Sequence, residues 1–338
     1  LVSDVPIGLF LSGGIDSATI ASFAGQISTF TLGFEDRGVS EADAARSVAI
    51  HLGTDHHELT ANARDVRTAV DTIARCFGEP FGDNAAWSSY LVSQLARAHV
   101  TVALSGEGGD ELFGGYKRYW KLQVRRPGGA AALLGRITPP TSRLGRSLHK
   151  RTISGLEAAA VSGPGLVGPA LDAILSPTLI DPEYDRLWSY RQFWQDGLHP
   201  TKRLRWMDLH TTLPDALLTK VDRSSMAHSL EVRPPLLDHR LVEFAFGLDP
   251  ALLVDPAGSR GKLVLRELMD ERLPAGHLDR PKKGFGLPIR RWLRQDPDYV
   301  KQAMKTLLDA GILRRPVDHR FDKIWMLLVL ARWIELRG

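Results

Sequence analysis

Two apolar runs in the first third of the chain each end in a serine-glycine turn, and this repeated ending restricts the fold more than any other feature. The first is Ile7 to Leu11, followed by Ser12-Gly13-Gly14-Ile15-Asp16-Ser17. The second is Val100 to Leu104, followed by Ser105-Gly106-Glu107-Gly108-Gly109-Asp110-Glu111. A short buried-type run closed by glycine and opening into helical spacing reads as strand, turn, helix. Ser17 to Phe23 continues as a helix and Ser28 to Phe34 as a second strand, which completes one crossover unit. Glu41 to Leu52 has helical spacing behind a Ser40 N-cap, His56 to Leu59 reads as a short strand, and Asp65 to Cys76 and Ala85 to Ala98 as helices. Strands alternating with helices predict an α/β fold with a doubly wound parallel sheet. Both Ser-Gly loops then leave neighbouring strands at the carboxyl edge, where such sheets bind ligands.

Beyond about Arg125 the texture changes. Residues 127–170 are rich in Gly, Pro and Ala, and the rest shows helical apolar spacing, clearest over Leu213 to His228, Leu241 to Phe246, Leu263 to Leu273 and Ile324 to Leu336. The chain therefore divides into an α/β domain over 1–125 and a mainly helical region over 126–338. At 338 residues there is enough chain for two cores. No apolar run approaches the roughly 20 residues of a membrane span, and Leu1 opens without a signal-peptide pattern, so a cytoplasmic enzyme is expected. Cys76 is the only cysteine, which excludes a disulfide framework, a cysteine-rich zinc site and a redox pair. Charge is uneven: residues 1–130 carry 11 Lys+Arg against 15 Asp+Glu, and the remainder 32 against 24. Arg280, Lys282, Lys283, Arg290, Arg291 and Arg294 form a basic run that reads as a nucleic-acid patch, a solvated loop, or cations serving an anionic substrate.

A glycine turn at a helix N-terminus presents bare N–H groups and positive dipole, which suits a phosphate chain. The first loop lacks the lysine of a Walker A sequence and instead starts its helix with Asp16, so the cation must come from elsewhere. An acid facing phosphates calls for a divalent metal between them; Asp16 reads as a Mg²⁺ ligand with Asp110 as its partner, or else as a plain helix N-cap. Gly163-Pro164-Gly165-Leu166-Val167-Gly168 matches G-x-G-x-x-G but follows no strand and reads as a linker turn, so no nicotinamide site is expected. His56-His57 has no third ligand at metal spacing and reads as strand and turn, while Trp87, Trp120, Trp188 and Trp206 read as packing residues. Lys220, Asp222, Arg223, Glu231 and Arg233 are either substrate ligands or a buried ion network between helices.

Ser12 to Ser17 resembles the pyrophosphate loop of the N-type ATP pyrophosphatases, and Ser105 to Tyr116 resembles the asparagine synthetase branch of that superfamily. Lys220 to Arg240 and Arg280 to Pro288 are similar to the same synthetase domain in order and spacing, so the resemblance runs from about residue 1 to 335. It implies ATP and Mg²⁺ as cofactors. Leu11 and Leu32 would frame the adenine through backbone contacts. Ser105 and Gly106 would lie under the ribose and α-phosphate, and Ser12, Gly13, Gly14, Asp16 and Ser17 would hold the pyrophosphate. Asp16 and Asp110 would bind the metal. Glu107 matches the acid tied to forming and using an acyl-adenylate, and Lys282, chosen over Lys283 on motif alignment, the lysine of a mobile basic loop. Such a loop, hinged at Gly284-Phe285-Gly286, would shield the adenylate from water.

The implied reaction is ATP-dependent amidation of aspartate to asparagine through β-aspartyl-AMP, with release of AMP and pyrophosphate. Glu107 could deprotonate ammonia or the tetrahedral intermediate. Glutamine-hydrolysing members carry an N-terminal glutaminase domain with a nucleophilic cysteine; this chain starts just before the synthetase domain and reads as a fragment, with ammonia from the missing domain or a separate partner. Related adenylating enzymes, such as β-lactam synthetases, lasso-peptide cyclases and amidotransferases acting on other carboxylates, form the second reading. A tRNA-modifying ATP pyrophosphatase is a weaker third, since tRNA thiolases of that kind need paired cysteines; a nucleic-acid partner is not expected. The oligomeric state stays open, a homodimer included.

Overall fold

The computed structural model describes all residues except 1–2, 36–39, 63–65, 122–154, 162–168, 256, 258–259, 281–285 and 322. Five parallel strands form one sheet: β1 (Ile7–Phe10), β2 (Ser28–Phe34), β3 (Asp55–Ala61), β4 (Val102–Leu104) and β5 (Glu231–Arg233). Their order is β3-β2-β1-β4-β5. The chain builds outward from β1 to β3, then returns to the other side of β1 with β4. That reversal between β1 and β4 is the topological switch point, and the pairing Leu9↔Leu104 sets their ends side by side.

Two compact units emerge, neither continuous in sequence. The first comprises residues 1–65, 85–117 and 213–287, and the second residues 66–84, 118–212 and 288–338. In the first unit, one face of the sheet is covered by α1 (Ile15–Ala24), α2 (Ala42–Leu52) and the Leu263–Met269 helix; Leu9, Leu11, Ala18, Val48, Leu104 and Met269 belong to a single apolar cluster. α4 (Ala85–Arg97) packs against β2 and β3 and against the Thr219–Met226 helix. Ser40 lies one residue before the N-cap of α2, yet its Oγ still accepts from the Ala42 N–H (3.3 Å) and from the Phe34 N–H (3.2 Å), tying the helix start to the end of β2.

In the second unit α3 (Val66–Cys76) buries Val66, Ala69, Val70, Ile73 and Ala74. This i, i+3, i+4 stripe packs on the Ile324–Glu335 helix, which in turn packs on the Pro297–Asp309 helix. Cys76 closes α3 and is half-buried, and burial pushes its thiol pKa up. The helices Pro200–His210 and Pro297–Asp309 add to those read from the sequence. The segment 213–218 forms a π-type turn ahead of the Thr219–Met226 helix, where continuous helical spacing was expected. No helix among the described residues is long and apolar enough to cross a membrane.

Candidate active site

The first loop is self-satisfied. The Ser12 N–H donates to Ser17 Oγ at 3.0 Å, the two serine hydroxyls meet at 2.9 Å, and the Gly14 N–H donates to Ser12 Oγ at 3.1 Å. Ser17, buried in the first turn of α1, thus fixes the loop at the helix N-terminus. The N-cap is Gly14, with no side-chain cap. Asp16 is therefore not the N-cap that the sequence allowed; its side chain points to another part of the chain.

That part is Lys262. Its Nζ forms an ion pair with Asp16 Oδ2 and lies 2.5 Å from Asp110 Oδ1. Burial alone would favour the neutral amine, but the charges and hydrogen bonds of Asp110 and Asp16 outweigh it and hold the ammonium above the usual lysine range. Lys262 adopts left-handed backbone (φ 58°, ψ 38°) just before the Leu263–Met269 helix, and its N–H donates to the Phe113 carbonyl at 3.0 Å. The antiparallel bridge Val254↔Gly261 delivers it there.

The glycines of the second loop make room for this triad. A Cβ on Gly115 would overlap Asp110 Oδ1 and Lys262 Cε, one on Gly109 would overlap Asp16 Oδ1, and one on Gly106 would lie 3.0 Å from Asp16 Cβ. Gly108 has φ +90° and caps α5 (Gly109–Phe113). Ser105 is buried, its N–H donates to the Arg233 carbonyl at 3.0 Å, and its hydroxyl has no hydrogen-bond partner among the described residues. Glu107 is half-buried on the same loop. Glu111 is buried and accepts from the Tyr116 hydroxyl at 2.6 Å; burial, reinforced by the Asp110 charge, pushes its carboxyl pKa up to about 8.

Leu11 directly follows β1 and Leu32 lies in the neighbouring β2. The Leu11 N–H donates to the Phe30 carbonyl at 2.9 Å, and its carbonyl accepts from the Thr31 hydroxyl. In a parallel ladder alternate residues face alternate neighbours, so Leu32, two residues past Phe30, directs its backbone groups towards the β1 side, beyond the end of β1. The structure thus brings together Ser12, Gly13, Gly14, Asp16, Ser17, Ser105, Gly106, Glu107 and Asp110 at the switch point. Lys282, Lys283 and the Gly163–Gly168 turn fall outside the described residues.

The two carboxylates suit a hard divalent cation. Among the described residues no group of three or more His, Cys, Asp or Glu could hold a metal. Mg²⁺ commonly takes one or two protein carboxylates and completes its shell with substrate phosphates and water, so the Asp16–Asp110 pair beside an anion loop fits it. Of the other candidates, Lys220 is buried, whereas Asp222 and Arg223 are exposed. Glu231 and Arg233 form an exposed pair at 2.6 Å on β5, so these residues do not make a buried network between helices. His56 and His57 lie in β3, bonded to Thr29 and Asp55 respectively, each at 2.9 Å. Trp87 and Trp120 are buried and Trp206 is half-buried, whereas Trp188 is 52% exposed and lies outside the core.

Sequence reasoning asked for a cation at the first loop and did not find Lys262. The only signal was a lysine directly before a helix, a place that the helix dipole disfavours.

A glycine loop opening a helix, with carboxylates beside it at the switch point of an open parallel sheet, defines an anion-binding α/β site of the nucleotide-binding class. The family model for asparagine synthase matches residues 1–335, and the chain belongs to that family. A glutamine-hydrolyzing asparagine synthetase of Bacillus subtilis strain 168 is 33% identical over 361 aligned positions, covering 98% of this chain and 56% of that protein. A putative glutamine-hydrolyzing asparagine synthetase of Mycobacterium bovis is also 33% identical, over 98% of this chain and 54% of its own length. The Bos taurus asparagine synthetase is 27% identical over 89% of this chain and 44% of its own. The chain spans about half the length of the curated relatives it matches.

Proposed function

We propose that this chain is the synthetase part of an enzyme that amidates aspartate to asparagine at the expense of ATP. The reaction runs through β-aspartyl-AMP and releases AMP and pyrophosphate. The observation that carries this reading is the meeting of Asp16, Lys262 and Asp110 between the two loops, with Glu107 on the second loop.

Ser12 to Ser17 receive the pyrophosphate: their hydroxyls already satisfy the loop N–H groups and exchange those bonds for phosphate oxygens. Ser105 and Gly106 lie under the ribose and α-phosphate, where the Ser105 hydroxyl gains a partner. Leu11 and Leu32 border the adenine at the strand ends. Asp16 and Asp110 hold Mg²⁺, which when bound neutralises charge on the departing pyrophosphate. A carboxylate is a poor acyl donor at neutral pH, so its attack on the α-phosphate makes the mixed anhydride that ammonia can open. Glu107 takes the proton from ammonia or from the tetrahedral intermediate. Lys282 reaches the phosphates from the basic segment. Ammonia comes from a glutaminase domain or a separate partner.

The test is mass spectrometry of the product formed from ATP, Mg²⁺, aspartate and ammonium, with pyrophosphate release followed in parallel across a panel of carboxylates. Asparagine and AMP are expected. Pyrophosphate released with another carboxylate but not with aspartate would shift the reading to a related adenylating enzyme. Glu107→Ala should abolish turnover with the fold retained, and full activity in that variant would remove the assigned role.

A further inference from the structure

Asp16 and Asp110 come from loops 94 residues apart in sequence, and both meet one ammonium from a third segment. Lys262 is not a surface side chain that swings in and out. It is 7% exposed at the side chain, its backbone holds a left-handed conformation that only glycine adopts without strain, and Gly115 leaves room for its Cε. Backbone strain at a buried charged residue points to a fixed role.

We propose that Lys262 is a positioning residue for the divalent cation: it is the standing counter-charge of the Asp16–Asp110 pair, so the pair binds a divalent cation weakly alone and tightly once pyrophosphate arrives with it. This rests on the metal placement proposed above. Two carboxylates and one ammonium give the triad a single net negative charge. A dication approaching the pair meets the like charge of Lys262 at close range, where repulsion is strong in a partly dry site. Pyrophosphate on the Ser12–Ser17 loop reverses this balance, because its oxygens attract the ammonium and the metal together. Lys262 thereby also supplies the cation that the first loop lacks by comparison with a Walker A sequence.

The experiment is Mn²⁺ binding to the whole chain, followed by electron paramagnetic resonance, with and without inorganic pyrophosphate. Values are corrected for the complex that the two form in solution. Pyrophosphate should tighten Mn²⁺ binding by about tenfold or more. Lys262→Met should tighten Mn²⁺ binding without pyrophosphate by about tenfold or more and remove most of the coupling, whereas Lys262→Arg should keep the native pattern. A merely structural role would weaken Mn²⁺ binding or leave it unchanged. Tight Mn²⁺ binding by the native protein that pyrophosphate does not alter would overturn the proposal. So would a Lys262→Met variant with native circular dichroism and no gain in affinity. Should that variant not fold, the coupling in the native protein decides alone. Neither measurement involves aspartate or ammonia, so failure to form asparagine would sink the synthetase reading and leave this result standing.

Discussion

Gly108 separates Glu107 from the Gly109–Asp110 turn, and its replacement by alanine tests whether the second loop is held by shape. Its φ is +90°, and an added Cβ would overlap Leu237 Cδ2 and stand 2.7 Å from Leu237 Cγ. Left-handed backbone costs an L-residue about 1–2 kcal/mol. Forcing a methyl group into a filled space costs about 1–3 kcal/mol more. Gly108→Ala should therefore lose about 2–5 kcal/mol, the sum of the two terms. Gly53, the C-cap of α2, separates these terms: it is left-handed like Gly108 (φ +68°, ψ 32°), but nothing lies within 4 Å of where its Cβ would be, so Gly53→Ala carries the strain alone. Leu237 is only half-buried, and Leu237→Ala opens the space that the new methyl needs. In the double variant the overlap disappears, so the two changes should fall short of additivity by about 1–3 kcal/mol. Thermal unfolding followed by circular dichroism reads the difference at about 2–4 °C per kcal/mol for a domain of this size. Gly108→Ala should melt at least about 2 °C below Gly53→Ala. Equal melting of the two, or full additivity of Gly108→Ala with Leu237→Ala, would refute the steric account of the loop.

Two further outcomes are expected. Asp208 is fully buried, pairs with Arg118 at 2.5 Å, and accepts from the Tyr119 hydroxyl at 2.6 Å and the Thr212 hydroxyl at 3.2 Å. Asp208→Ala should cost about 3–5 kcal/mol in urea unfolding, and a loss below about 1 kcal/mol would show that the pair does not hold this part of the second unit. His277 is buried with neither ring nitrogen hydrogen-bonded among the described residues, and burial, aided by Arg280, lowers its pKa from the ordinary 6.5. The native state keeps it neutral while the unfolded chain takes up a proton, so stability falls as pH drops below about 6.5, by at most about 1.4 kcal/mol per pH unit. His277→Phe should flatten that part of the profile; parallel profiles for the two proteins between about pH 5 and 7 would exclude it.

The parallel sheet was legible because β1 and β4 are apolar runs, each closed within two residues by a Ser-Gly turn, and β2 follows α1 at crossover spacing. β5 was not. It has three residues, Glu231-Val232-Arg233, and its outer two are exposed, so neither length nor alternation marks it. Its place comes from pairing with β4, which lies more than 120 residues away in sequence. The Pro200–His210 helix was hidden for a different reason: its buried face includes Arg205 and Asp208, and a charged residue inside a core stripe breaks the apolar period that announces a helix. The same non-local pairing explains why residues 213–287, helical in texture, cluster with the sheet.

The site was legible as a requirement before it was legible as residues. Two loops at one strand edge, each with an acid, call for cations, and the sequence offered 43 Lys+Arg from which to choose. The basic run near Lys282 stands out in sequence because no acid interrupts it, yet the cation lying between Asp16 and Asp110 is Lys262, 18 residues before that run begins. Lys262 goes unnoticed because it breaks local rules: a cation ahead of a helix N-terminus, in a left-handed backbone conformation. Those violations are themselves informative, since a chain tolerates them where tertiary charge outweighs local preference. Here the outweighing charge is the pair of carboxylates that both meet the Lys262 Nζ. On the proposed metal placement, the lysine that neutralises this pair would also set the charge that an incoming metal encounters.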